Sequence, residues 1–134
     1  MAGKKLTVLL VDDSRTVLTQ IECAVEASEK AEIVGTASNG AEAIQRASEL
    51  MPNLVIMDIV MPDMDGLAAL RMLQAKQPEI RVVMLSSVGG MASKAEEAFR
   101  LGAVQVLGKP VDAEILGAML SQEYERLRSQ SETE

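Results

Sequence analysis

Short, uninterrupted apolar runs recur along this chain, and they limit its fold more than any other pattern. The four strongest cover residues 8–11, 54–57, 82–85 and 104–107, and a weaker run covers residues 33–36. Continuous apolarity, in place of an alternation between apolar and polar residues, predicts strands that are covered on both faces. Such strands are typical of a parallel sheet.

The segments between these runs carry apolar residues at the spacing of one helix face. The five sets are Val17, Ile21 and Val25; Ile44, Ala47 and Met51; Leu67, Leu70 and Leu73; Ala95, Ala98 and Phe99; and Leu116, Leu120, Tyr124 and Leu127. The alternation predicts five strand–helix units joined by right-handed crossovers. We therefore expect an α/β fold built on a doubly wound, five-stranded parallel sheet.

Two pairs of polar residues mark predicted helix starts. Asn39 with Glu42, and Ser93 with Glu96, have the spacing of reciprocal N-capping pairs. They predict that the second and fourth helices begin directly after Asn39 and Ser93.

A chain of 134 residues favours one domain. We assign residues 1–134 to it, with a core at about residues 5–128 and a polar, frayed tail at residues 129–134. The net charge of −7 and the lack of a basic stripe argue against direct binding to nucleic acid or to a membrane surface. The sequence has no apolar run long enough to predict a signal peptide or a membrane span. A single cysteine, Cys23, expected to pack in the first helix, suits a reducing compartment and predicts a cytoplasmic location.

Reactive side chains follow the predicted strands at their carboxyl ends. In an open parallel sheet these ends meet at one edge, where ligands bind. The residues concerned are Asp12 and Asp13 after the first strand, Asp58 after the third, Ser86 after the fourth and Lys109 after the fifth.

Three carboxylates at one edge repel one another, by ~3 kcal/mol per pair at about 5 Å and an effective dielectric of about 20. Such a site needs cations, and Lys109 supplies one. With no histidine and one cysteine in the chain, a bound metal must be held by oxygen, which favours Mg²⁺ with Mn²⁺ as a substitute. The site suits phosphoryl transfer, in which an aspartate is itself a nucleophile that forms an acyl phosphate.

Five separated motifs together resemble the receiver domain of two-component response regulators. They are Asp12-Asp13, Asp58, residues 61–66 (MPDMDG), Ser86-Ser87 and Lys109-Pro110. They occur in the family's order, and the resemblance covers about residues 5–128. It implies the flavodoxin-like strand order 2-1-3-4-5.

The resemblance also implies the roles of the acidic residues. Asp58 would be the phosphoacceptor, which takes its phosphoryl group from the phosphohistidine of a histidine kinase. Mg²⁺ would be bound by Asp13, Asp58 and the backbone carbonyl of Val60, and Asp12 would act through water.

The remaining roles concern the fourth and fifth strands. Lys109 would pair with Asp58 and later with a phosphate oxygen, and Ser86 would be the switch hydroxyl that donates to the phosphate. The peptide bond between Lys109 and Pro110 would be cis.

Two departures from the family pattern carry predictions of their own. Val106 stands where receivers usually have a tyrosine or phenylalanine, so we expect the signal to travel through the loop at residues 87–92, which contains Gly89-Gly90, into the fourth helix. Val60 and Val88 stand at the positions that flank the acyl phosphate. Because neither side chain can hold a hydrolytic water, we expect slow loss of phosphate.

On this interpretation the chain is an autocatalytic phosphoacceptor and slow autophosphatase, not a turnover enzyme. Its partners would be a sensor histidine kinase or phosphotransfer protein and a downstream protein. The downstream partner would bind the surface formed by helix four, strand five and helix five, where Phe99, Val104 and Tyr124 are candidate contacts.

Two other functions compete with this one. One is a phosphate-independent interaction module with the receiver fold: Val106 is compatible with it, but the intact acidic residues and Lys109 argue against it. A flavin or nucleotide binder is disfavoured, because the turn at residues 12–15 is acidic and lacks glycine and the chain has no G-x-G-x-x-G. Residues 82–87 followed by Gly89-Gly90 also resemble the receivers of chemotaxis methylesterases.

Overall fold

The computed structural model describes residues 4–62, 64–87 and 92–132. Within these ranges, strands and helices alternate five times. The elements are β1 (Leu6–Val11), α1 (Arg15–Ala27), β2 (Ala31–Ala37), α2 (Gly40–Leu50), β3 (Leu54–Asp58), α3 (Gly66–Lys76), β4 (Arg81–Ser86), α4 (Ala92–Arg100), β5 (Gln105–Gly108) and α5 (Ala113–Glu132).

The strands form one parallel sheet in the order β2-β1-β3-β4-β5. This confirms the predicted doubly wound α/β fold and the strand order 2-1-3-4-5. The register sets Asp58 opposite Leu85 and Ser86 opposite Gly108. Because all the strands run in one direction, the segments that follow β1, β3, β4 and β5 emerge along the same edge of the sheet.

The core consists of two apolar layers, one on each face of the sheet. One layer joins β-strand residues to α2, α3 and α4, and it includes Leu70, Leu73 and Met84. The other joins them to α1 and α5, and it includes Ile21 and Leu116. Because the central strands contribute to both layers, they are buried at almost every position, which explains the continuous apolar runs.

Two residues assigned to apolar helix faces lie at the surface instead. Met51 is 67% exposed, because it lies beyond α2 as a left-handed C-cap with φ 48° and ψ 57°, and Leu50 packs against the core. Phe99 is 53% exposed, whereas its neighbour Ala98 is fully buried. The side chain at 99 is rotated by about 100° from that of Ala98 and points away from the sheet.

Cys23 is also exposed, so its predicted packing role is wrong.

The helix boundaries correct two further predictions. The Asn39 side chain accepts a hydrogen bond from the Glu42 N–H at 2.9 Å, which confirms the N-cap of α2. The Glu42 carboxylate, however, accepts from the N–H and hydroxyl of Ser38 and not from Asn39. Ser93 lies inside α4, which begins at Ala92, so its prediction as a cap is wrong.

The carboxyl-terminal helix is longer than predicted. Residues 129–132, expected to be part of a frayed tail, continue α5 to Glu132. In the described part of the chain, none of the helices combines the length and the apolarity needed to cross a membrane.

Candidate functional site

The acidic residues predicted to meet at the carboxyl edge of the sheet do so. Asp12 directly follows β1 and Asp58 is the last residue of β3. Asp12, Asp13 and Asp58 each offer a carboxylate oxygen, and these oxygens lie within 4.8 Å of one another. Asp12 and Asp58 are almost fully buried, at 1% and 4% exposure, while Asp13 is exposed.

Lys109 joins two of these carboxylates. Its Nζ donates a hydrogen bond to Asp58 Oδ2 at 2.8 Å, which confirms the predicted pairing. The same Nζ lies 2.9 Å from Asp12 Oδ2, a partner that the sequence did not single out. The Lys109 N–H donates to the Ser86 carbonyl at 2.8 Å, and the bond to Pro110 is cis, as predicted.

Asp12 has one oxygen that the described residues leave without a hydrogen bond. Its Oδ1 accepts from the Ser14 N–H at 2.9 Å, but its buried Oδ2 has only the ion-pair contact with Lys109. Buried polar atoms are almost always hydrogen-bonded or bound to an ion or water. A ligand that offers positive charge at this oxygen would therefore complete the site.

The surroundings of Asp58 shift its pKa in opposite directions. Burial raises the pKa of Asp58 and the charge of Asp12 raises it further, while the hydrogen bonds from Lys109 and from the Val60 N–H lower it, and the net shift is upward. At Lys109, burial lowers the pKa, but the hydrogen bond that its Nζ donates to Asp58 and the charge attraction of the Asp58 and Asp12 carboxylates outweigh burial and raise the pKa. Lys109 is thus held charged, and ionisation of Asp58 costs more free energy than ionisation of an exposed aspartate.

The residues fit a hard divalent cation. The three grouped carboxylates offer only oxygen ligands, one carboxylate is exposed to solvent for entry, and one buried oxygen has no hydrogen-bond donor among the described residues. Magnesium in proteins is held by one or two carboxylates and keeps several waters. The structure brings the predicted ligands Asp13 and Asp58 together with Asp12. Ligation by the Val60 carbonyl stays a prediction. The Val60 N–H donates a hydrogen bond to Asp58 Oδ1 at 3.2 Å.

Ser86 lies at the same edge, as predicted. It is the last residue of β4, it is half-buried, and it follows Leu85, the residue opposite Asp58. Its role as a switch hydroxyl stays a prediction. Val106 lies in β5 opposite Met84 and is half-buried. Residues 88–91, which include Val88 and most of the predicted signalling loop, lie outside the described residues.

Of the candidate contacts for a downstream partner, only Phe99 is prominent at the surface. Val104 precedes β5 and packs against the core layer of α1 and α5. The centroid of the Tyr124 ring lies 5.8 Å from Nζ of Lys30, the residue that precedes β2. Ile115, which the sequence did not single out, is 54% exposed near the start of α5.

A second feature missed in the sequence is a groove of about 370 Å³ beside Lys109. It runs between α1 and the segment after β5, and its walls are mostly apolar. Its lining includes Val17, Ile21, Ala24, Pro110, Val111 and Leu116. Val17 and Ile21 were assigned to the core-facing side of α1, and the pattern did not show that part of this side borders an opening.

Comparisons with known proteins agree with this geometry. Residues 8–121 match the family model described as the response regulator receiver domain. The chain is 38% identical over 109 residues to the chemotaxis protein CheY of Listeria monocytogenes, which covers 81% of this chain and 90% of that protein. It is 41% identical over 103 residues, 76% of this chain, to a protein-glutamate methylesterase/protein-glutamine glutaminase of Methanococcoides burtonii, and spans only 29% of that protein's length.

Among solved structures, the response regulator domain of Thermotoga maritima CheB aligns with a TM-score of 0.79 and 30% sequence identity, and the alignment covers 92% of this chain and 96% of that one. The family model spans most of the described elements, from β1 into α5. The chain therefore belongs to the response regulator receiver domain family of two-component signalling.

Proposed function

We propose that the chain is a phosphorylation switch in which Asp58 takes a phosphoryl group, with Mg²⁺ present, from the phosphohistidine of a histidine kinase or phosphotransfer protein. The observation that carries the proposal is the placement of Lys109 Nζ, 2.8 Å from Asp58 and 2.9 Å from Asp12. A carboxylate nucleophile thus lies beside a fixed cation and two more carboxylates.

The reaction needs little covalent chemistry from the protein. A carboxylate oxygen of Asp58 attacks phosphorus, the P–N bond to the donor imidazole breaks, and the imidazole leaves with the electron pair and takes a proton from solvent. A divalent cation bound by the carboxylates would neutralise charge on the phosphoryl oxygens. Lys109 already donates a hydrogen bond to Asp58, so its Nζ is placed to donate to a phosphate oxygen once Asp58 is phosphorylated. Ser86 offers a hydroxyl donor at the same edge.

The groove between α1 and the segment after β5 supports a protein as donor. Its lining includes Lys109 and Ser87, so a helix seated there would lie close to the edge of the sheet that holds Asp58. Its apolar walls suit the apolar face of a helix, a common mode of protein recognition. We propose that the phosphohistidine-bearing partner docks here and that Phe99 and Ile115 contribute to a separate surface for the downstream partner.

A phosphoacceptor of this kind is consumed once per cycle and does not turn over substrate. Val60, which follows Asp58 by two residues, is 53% exposed and has no side-chain group that could hold an attacking water. We infer slow loss of the phosphoryl group without a separate phosphatase.

The test uses acetyl phosphate and Mg²⁺ with intact-mass measurement. We expect a gain of about 80 Da, one phosphoryl group, that disappears with EDTA and in Asp58→Asn. Asp112→Asn is the matched control, because Asp112 is exposed and caps α5 through Oδ1, a contact that asparagine can keep. An adduct that persists in Asp58→Asn would contradict the assignment of Asp58. No adduct with any donor would favour the phosphate-independent interaction module.

A further inference from the structure

The first residue of α3 is in direct contact with the backbone of the proposed phosphoacceptor. A Cβ atom added at Gly66 would overlap the carbonyl oxygen of Asp58, and it would lie 2.8 Å from Cα of Ile59 and 2.9 Å from Cε of Met84. The two nearest atoms belong to the backbone and cannot turn aside as a flexible side chain would. Any residue except glycine at 66 therefore has to move either α3 or the end of β3.

Hydrogen bonds hold this contact from two sides. The Gly66 N–H donates to the Ile59 carbonyl at 2.7 Å, and the Ile59 N–H donates to the Leu85 carbonyl at 2.9 Å. The peptide that follows Asp58 is thus held between β4 and the start of α3. These contacts restrict movement of the Asp58 backbone, so the Asp58 carboxylate keeps a fixed position relative to Asp12 and Lys109.

A second glycine holds the other end of the segment between β3 and α3. The Gly40 N–H, at the start of α2, donates to the Met64 carbonyl at 3.2 Å. A Cβ atom at Gly40 would lie 2.6 Å from that carbonyl oxygen and 2.9 Å from Cγ of Met64. The segment that carries Val60 is therefore anchored on Gly66 at one end and on Gly40 near the other.

We propose that Gly66 and Gly40 are positioning residues for phosphoryl transfer, which set the place of the Asp58 carboxylate and of the Val60 backbone relative to the bound cation. The inference rests on the proposed function and deepens it. Outer residues that orient metal ligands typically change metal affinity or activity 10–100-fold when they are replaced. A displacement of about 1 Å of a reacting group costs about 10²-fold in rate.

The experiment compares Gly66→Ala, Gly40→Ala and the control Gly117→Ala. Within the described part of the chain, a Cβ atom at Gly117, in α5, would have no neighbour within 4 Å beyond its own helix backbone and adjacent residues. Mg²⁺ affinity is measured by titration calorimetry, and the phosphorylation rate with acetyl phosphate is measured at saturating Mg²⁺. We expect Gly66→Ala to lose about 10-fold or more in both quantities, Gly40→Ala to lose less, and Gly117→Ala to match the wild type.

The two readouts separate positioning from a general loss of stability. A role in stability alone would lower the melting temperature but leave Mg²⁺ affinity and rate unchanged in the folded protein, and this outcome would overturn the proposal. Circular dichroism establishes that each variant is folded at the temperature of measurement. If Gly66→Ala does not fold, Gly40→Ala decides: reduced Mg²⁺ affinity supports the inference and wild-type affinity overturns it. If the wild type binds Mg²⁺ but accepts no phosphate, the proposed function fails, and the calorimetric comparison still tests the positioning of the cation ligands.

Discussion

Lys109 Nζ lies 2.9 Å from Oδ2 of Asp12, yet that buried oxygen receives no hydrogen bond from the described residues. The ammonium group is aimed instead at Asp58, to which it donates at 2.8 Å. One lysine therefore offsets two buried carboxylates. The site is stable enough to form, but it remains short of positive charge.

The first prediction concerns the loss of this lysine. Lys109→Met should lower the free energy of unfolding at pH 7 without metal by about 2–4 kcal/mol, because two buried carboxylates lose their counter-ion. The raised pKa of Lys109 means that its stabilising contribution is fully present below the unfolded-state pKa and is lost only as the pH rises through the folded-state value. Urea titration measures the change, and exposed Lys76→Met should be close to neutral. An effect no larger than that control would contradict the ion-pair geometry.

The second prediction follows from the raised pKa of Asp58. A folded-state pKa above the unfolded-state value gives stability that is present at acid pH and lost as the pH rises through the folded-state pKa. Asp58→Asn escapes this loss, so at pH 7 in EDTA it should melt above the wild type, by about 3–5 °C for a difference of ~1 kcal/mol. The gap should close towards pH 4 and also on addition of Mg²⁺. A variant that melts below the wild type at pH 7 in EDTA would show that the carboxylate is net stabilising.

The sheet and the edge that bears the site were predictable for one physical reason. Continuous apolar runs mark strands buried on both faces, and parallel strands place their carboxyl ends along one edge, so Asp58 and Lys109 were expected at the same edge. Helix ends were less predictable, since Met51 fits the apolar period of α2 but adopts a left-handed C-cap conformation beyond its end. Periodicity also could not place Phe99, because neighbouring helix positions differ by about 100° in direction.

Contacts at atomic distance were beyond the sequence pattern. That Lys109 reaches Asp12 as well as Asp58 depends on the path of the chain after β5. The close approach of Gly66 to the Asp58 carbonyl likewise depends on how α3 packs, although a glycine at the first position of a helix is a visible signal. The motif at residues 61–66 contributes to the family resemblance, but its composition does not reveal this contact.

The third prediction concerns the lifetime of the acyl phosphate. The wild-type domain should keep its phosphoryl group for minutes or longer. Val60→Asn should shorten that lifetime several-fold, because an amide at this exposed position can hold a water beside Asp58. Val60→Leu, which adds no polar group, is the matched control. Loss of the 80 Da adduct with time, followed by intact mass, gives the rates, and a wild-type half-life of only seconds would contradict the prediction.

The fourth prediction concerns how phosphorylation at Asp58 changes the protein surface when residue 106 is a valine. We expect phosphorylation to change amide hydrogen exchange over residues 86–100, because half-buried Val106 lacks a ring that could move between a buried and an exposed position. Exchange followed by mass spectrometry compares phosphorylated and free protein, with Asp58→Asn treated in the same way as the control. Identical exchange across residues 86–100 in the phosphorylated and free forms would exclude this route.

The last prediction separates protein donors from small ones. Ala24→Glu places a charge in the apolar groove beside Lys109, and burying that charge beneath a docked helix is costly. We expect phosphorylation by a histidine kinase that acts on the wild type to fall about 10-fold or more, while the rate with acetyl phosphate stays unchanged because a small donor does not occupy the groove. Ala41→Glu, at an exposed position of α2, is the control for added charge and should leave both rates unchanged. Equal losses with both donors would mean that Ala24→Glu disturbs Asp58 itself, and no loss with either donor would place the kinase on another surface.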